Sequence, residues 1–137
     1  MKILMWHCKK YEAVLTGLSN RPKDIKPETK RMNKEKIGRC ILSMITIEKK
    51  DKEEKIKEAS NEIKKFAKDT KTPNILLAPF VHLSNNIANS DKSMKIILAL
   101  EEELKKEFSV LRSHYGYDKS LKLEIFGHKG NVRFREF

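Results

Sequence analysis

At 137 residues and 16.0 kDa, with 39% hydrophobic and 36% charged side chains, the chain is sized for a single domain, residues 1–137, and is too well patterned for disorder. Its longest apolar runs, 75–80 and 96–100, fall far short of the ~20 residues a membrane helix needs, and residues 2–7 lack the apolar length and small-residue cleavage site of a secretory signal, so a cytoplasmic protein without a membrane partner is expected. The net charge of +11, from 30 Lys and Arg against 19 Asp and Glu, points to a polyanionic partner, and nucleic acid is the commonest.

The surplus is uneven. Residues 1–50 carry 13 basic and 5 acidic side chains, whereas residues 72–90 carry none of either sign. A bias toward Lys, which supplies 24 of the 30 basic residues, would load the central elements too, so a true polyanion site outweighs a merely solvated surface. Cys8 and Cys40 are too few for a disulfide scaffold and are not spaced as zinc ligands.

In chain order, the apolar run 2–7 ending in His7 reads as a buried strand, and 11–18 supplies another. Residues 19–39, with Pro22, Pro27 and eight basic residues, read as a long mobile basic loop. The β-branched run 40–47 is a third strand. Ile56, Ala59, Ile63, Phe66, Ala67 and Thr70 recur at helical spacing across 52–71, which marks an amphipathic helix. Residues 74–79, with four consecutive apolar positions, suit a central strand covered on both faces, and Pro79 stops it. A second helix begins near Ser90 and Asp91, either of which can cap it, with Ile97, Leu100, Leu104 and Phe108 on its inner stripe. A short strand follows at 109–112. The tail then alternates Leu121, Leu123 and Ile125 with charges, turns at 127–130 and returns through Val132 and Phe134, as a hairpin with one buried face does. The order β-β-β-α-β-α-β-β-β describes a mixed α/β domain whose helices are crossovers between parallel strands.

Ligands of such sheets sit at the carboxyl ends of strands. His7 ends the first strand, His82 follows Pro79, and Lys119 precedes the final strands, so parallel neighbouring first and central strands would open His7 and His82 into one crevice. Cys8 beside His7 is a weak nucleophile candidate, because adjacent strand residues face opposite ways. No phosphate-binding glycine loop is present, which removes ATP hydrolysis and dinucleotide binding.

The opening strand into His7, Pro79-Phe80-Val81-His82-Leu83-Ser84, Gly116-Tyr117-Asp118-Lys119 and Gly127-His128 together resemble the N-terminal editing domain of archaeal threonyl-tRNA synthetases over essentially the whole chain. The resemblance implies the three-layer α/β/β fold of D-aminoacyl-tRNA deacylases, a homodimer, and hydrolysis of serine wrongly attached to threonine-specific tRNA without metal, cofactor or covalent intermediate. It places His82 and Lys119 at the chemistry, Lys119 holding the water or the developing oxyanion. Val81 would line the aminoacyl pocket with Phe80, Ser84 and His7 around the substrate, Tyr117 would stack near the terminal adenine, and Lys30, Arg31, Lys34 and Lys36 would meet acceptor-stem phosphates. A synthetase core would lie in the same chain or act in trans.

The sequence departs from the family in three places, the first being Val81, which adds two methyls where the family has Ala in the aminoacyl pocket. Cys8-Lys9-Lys10 stands where the family has Ser-Asp-Tyr, and Lys129-Gly130-Asn131-Val132-Arg133 lacks the Glu that pairs with the lysine, Glu136 being the nearest. The alternatives are therefore a catalytically inactive tRNA-binding or assembly module of the same fold, and a free-standing D-aminoacyl-tRNA deacylase.

Overall fold

The computed structural model describes residues 1–137. Its spine is β1 (Lys2–Leu18), 17 residues long, in which the two expected strands 2–7 and 11–18 are one. That length lets β1 carry two partners in series along each edge. Along one edge β2 (Lys34–Ile37) pairs with residues 11–14 and β3 (Cys40–Thr46) with residues 2–8, both antiparallel. The expected basic loop 19–39 thus ends in a strand, because Tyr11 to Val14 would otherwise have an unpaired edge.

From β3 the chain crosses through α1 (Glu54–Asp69) to β4 (Asn74–Pro79), then through α2 (Ser90–Lys105) to β5 (Ser109–Arg112). Both β3 with β4 and β4 with β5 are parallel, as crossovers require. Asn89, not Ser90 or Asp91, caps α2: its side chain accepts from Lys92 N–H at 2.9 Å.

The last two strands form no hairpin. β6 (Tyr117–Ile125) pairs with the second half of β1 and β7 (Val132–Glu136) with the first half, both antiparallel to it. They run in the same direction, end to end, and residues 126–131 are an excursion anchored where His7 N–H donates to Asn131 O and Phe126 N–H to His7 O.

Alternation builds two cores. Ile75 and Leu77 of β4 join Ile41, Ile45, Ile3 and Met5 under Ile63 and Phe66 of α1 and Ile97, Leu100 and Leu104 of α2. Leu76 and Ala78 point the other way, into a cluster with Leu42, Met44, Cys8, Cys40 and Tyr11, which the curl of β1 brings over the second face. The helices, the parallel strands and this curled-over half make a mixed α/β domain of three layers. The apolar residues of β6 and β7 are not buried as expected: Leu121, Leu123, Val132 and Phe134 are 37–46% exposed. Trp6 is opposite both Leu42 and Val132, and Leu4 opposite both Met44 and Phe134, so this strip continues the second core outward along a sheet edge.

Candidate active site

Pro79 ends β4 because it has no N–H, yet the chain stays tied to β3: Phe80 N–H donates to Ile45 O at 2.8 Å and the Thr46 hydroxyl to Phe80 O. Val81 to Leu83 form one 3-10 turn, which carries Val81 to the rim and leaves His82 exposed, its ring edge-on to Phe80 at 5.0 Å. Across from them, residues 113–119 leave β5 and enter β6. Between these two segments lies a cavity of about 270 Å³, floored by Met44 and Ala78 and walled by Phe80, Val81, His82, Tyr117 and Lys119. It sits at the carboxyl end of β4, where a parallel pair places a ligand.

The second wall is fixed by buried charge. Glu35 of β2 is 1% exposed, and its carboxylate accepts from Ser113 Oγ (2.8 Å), Tyr11 Oη (3.2 Å), His114 N–H (2.7 Å) and His114 Nδ1 (2.8 Å). Burial works against its ionisation, but these donors prevail and hold it below the usual carboxylate range. Glu28 accepts from Arg112 Nη1 at 2.7 and 2.8 Å and from Tyr115 N–H at 2.7 Å, while its own carbonyl accepts from Tyr117 Oη at 2.9 Å. Gly116 sits under Pro27 with φ +90°.

Lys119 Nζ donates to His114 O at 2.6 Å and Tyr117 O at 3.2 Å, which leaves one N–H of the ammonium free for the cavity it lines. Burial lowers its pKa from the ordinary lysine value, and the charges of Glu35, Glu28 and Asp118 oppose that drop.

Not every expected residue is here. His7 lies in the middle of β1, opposite Ile41 at the start of β3, and β1 is antiparallel to β3 and not adjacent to β4, so His7 and His82 share no crevice. Its Nδ1 is 2.8 Å from His128 Nε2, its Nε2 is 3.0 Å from Thr72 Oγ1, and its ring stacks on Phe126. Ser84 turns away and donates to Glu48 at 2.5 Å. Cys8 and Cys40 are fully buried opposite each other in β1 and β3. Glu136 reaches Lys2, far from Lys119. Of the basic residues, Lys30 is unpaired, Lys34 and Lys36 stand 4.0 and 3.6 Å from Glu12, and Arg31 bonds Glu28 and the Arg112 carbonyl.

Residues 1–136 match the archaea-specific editing domain of threonyl-tRNA synthetase. The chain belongs to this family. Among its relatives, it is 33% identical over 131 residues to a threonine–tRNA ligase of Thermococcus onnurineus, covering 93% of this chain and 21% of the ligase. It is 30% identical over 102 residues to the threonine–tRNA ligase editing subunit of Saccharolobus solfataricus, covering 74% of this chain and 26% of that one. The chain therefore spans about a fifth to a quarter of these relatives' length. A solved structure titled c-Myc DNA unwinding element binding protein superposes with a TM-score of 0.71 over 100% of this chain and 99% of that one at 13% identity, which shows the shared fold.

In this editing domain residues 79–82 and the segment 116–119 line one cavity although 33 residues lie between them in sequence. Sequence reasoning does not find Glu35, Glu28 or His114. Glu35 and His114 are 79 residues apart, and the one local signal is an acidic residue at a strand position between Lys34 and Lys36.

Proposed function

We propose that this domain hydrolyses the ester of an amino acid wrongly attached to tRNA, serine on threonine-specific tRNA, joined to or beside a synthetase core. The observation that supports it is the meeting of Val81 and His82 with Lys119 and Tyr117 around one small cavity. An aminoacyl ester is an activated acyl group. Water adds to its carbonyl carbon, the bond to the ribose oxygen breaks, and that oxygen leaves with a proton as the free hydroxyl. The free Lys119 N–H faces the charge that develops on the carbonyl oxygen, His82 lies at the mouth where the nucleoside enters, and Tyr117 offers its ring to the adenine. Cys8, sealed in the second core, takes no part.

Lys30, with Lys34 and Lys36 along β2, offers the positive edge that would follow acceptor-stem phosphates. The exposed strip of Leu121, Leu123, Val132 and Phe134, with half-buried Trp6 beside Val132, suits a second copy of the chain, meeting the same strip about a two-fold axis and covering the edge made by β6 and β7.

The test is release of serine from seryl-tRNA specific for threonine, with threonyl-tRNA and D-aminoacyl-tRNA as comparisons. Lys119→Met is expected to slow release by about 10²–10³, the loss of one oxyanion donor, with tRNA affinity nearly unchanged. A wild-type protein that binds tRNA and releases nothing would refute the hydrolase reading in favour of a binding module, and release of D-amino acids alone would replace the substrate.

A further inference from the structure

We propose that Glu35 is the positioning residue of Lys119: its carboxylate fixes the wall to which the Lys119 ammonium is hydrogen-bonded and supplies the negative charge that faces it from β2. The inference deepens the deacylase reading and rests on it for its kinetic arm only.

The geometry runs through His114. Glu35 receives both the N–H and the Nδ1–H of this residue, which fixes the tautomer and leaves Nε2 to accept from Arg31 N–H at 3.0 Å. His114 is 1% exposed and cannot turn, so its carbonyl is held where Lys119 Nζ donates at 2.6 Å. Ser113 and Tyr11 fill the remaining acceptor sites of Glu35. A carboxylate with four donors in a dry site is a fixed charge, and its effect on a neighbouring ammonium is screened little.

Lys119 is surrounded by few other charges. Asp118 stands beside it on β6, Glu28 faces it from the segment before β2 but is shared with Arg112 and Arg31, and Arg21 and His82 line the same cavity. Tyr117 and His114 contribute carbonyls, and Tyr11 a hydroxyl bound to Glu35. Burial pushes Lys119 toward its neutral form, which could neither stabilise an oxyanion nor keep three donors, and Glu35 is the first of the charges that oppose this.

Glu35→Gln tests the charge with little change of shape, because a Gln oxygen can accept from His114 while its amide donates to the hydroxyls of Ser113 and Tyr11. In the free protein, the Lys119 ammonium followed by NMR on labelled lysine is expected to titrate at lower pH than in wild type. Glu35→Asp keeps the charge one methylene further away and is expected to shift the midpoint in the same direction by less. Tyr11→Phe, which removes a donor but no charge, should leave it in place. In deacylation, Glu35→Gln should lower kcat by about tenfold with KM little changed and move the basic limb of the pH profile to lower pH. An unmoved Lys119 midpoint in Glu35→Gln, or an equal shift in Tyr11→Phe, overturns the proposal. If Glu35→Gln does not fold, an unmoved midpoint in Glu35→Asp does so. A shifted midpoint in a protein that releases no amino acid supports the pairing of Glu35 with Lys119 and refutes the deacylase reading alone.

Discussion

Gly116→Ala is expected to cost about 2–5 kcal/mol of stability, for two reasons that act together. Gly116 has φ +90°, a backbone conformation that costs an L side chain about 1–2 kcal/mol. A Cβ built there would lie 2.5 Å from Pro27 Cα and 2.6 Å from Pro27 Cβ. Those atoms cannot retreat freely. Pro27 is followed by Glu28, which is pinned to Arg112 and Tyr115, and Gly116 O itself accepts from Ser19 N–H at 2.9 Å. Overpacking of this kind costs about 1–3 kcal/mol, which adds to the backbone strain. With a urea m-value of about 2 kcal/mol/M, the unfolding midpoint should fall by about 1–2.5 M. Gly17→Ala and Gly38→Ala, where nothing lies within 4 Å of an added Cβ, serve as controls and should stay within about 0.5 kcal/mol of wild type. A Gly116→Ala protein as stable as those controls would refute the close seating of Pro27 on Gly116.

Three further outcomes are expected. Glu101 is held below the usual carboxylate range by Lys105 and Arg112 against the cost of burial; its contribution is complete above the unfolded value of about 4.3 and is lost as pH falls through the lower folded value, so Glu101→Gln should flatten the decline of Tm between pH 5 and 3, and an unchanged decline refutes this. Replacing Lys30, Lys34 and Lys36 by Ala should reduce the log–log salt slope of tRNA binding by about 0.9 for each phosphate that is no longer neutralised, and an unaltered slope would mean these lysines are only solvated. Phe134→Glu should turn a dimer at micromolar concentration into a 16.0 kDa monomer by sedimentation, whereas a wild type that sediments as the monomer removes the second copy from the exposed strip.

Some elements are plain in the sequence for a physical reason. The strands at Asn74–Pro79 and Ser109–Arg112 are bounded by a proline or by the end of a helix, and apolar runs between such stops leave little choice of extent. The edges of β1 are illegible for the opposite reason. Whether 121–125 and 132–134 turn back on each other or follow one another depends on how long the strand beside them is, and β1 passes through Lys9 and Lys10 without a break that composition could reveal. The register shift between Cys8 and Lys10 keeps both charged residues exposed within a continuous strand. The same merger moves His7 away from the expected crevice, since a residue that ends a short strand is at a rim and one in the middle of a long strand is not. The motif 79–84 is informative because Pro79 and the turn after it act locally. The partner of Lys119 is not, because it comes from a segment more than 80 residues earlier.

That segment also changes the meaning of the basic surplus. Residues 28–36 alternate in role: Glu28 and Glu35 turn inward and bind the cavity wall, while Lys30, Lys34 and Lys36 remain outside. Arg31 belongs with the first group, since its guanidinium bonds Glu28 and the Arg112 carbonyl and its N–H is spent on His114. Lys34 and Lys36 are partly neutralised by Glu12, whose carboxyl they and Lys10 hold below its usual range. The positive field offered to a phosphate chain is thus weaker than four free cations, and Lys30 is its least compensated member. Two carboxylates under a basic edge, Glu35 buried and Glu28 half-buried, hold the edge in place, so the side chains that would meet the tRNA backbone and those that set the cavity are carried by one strap, and a substitution in either set must be read for its effect on the other.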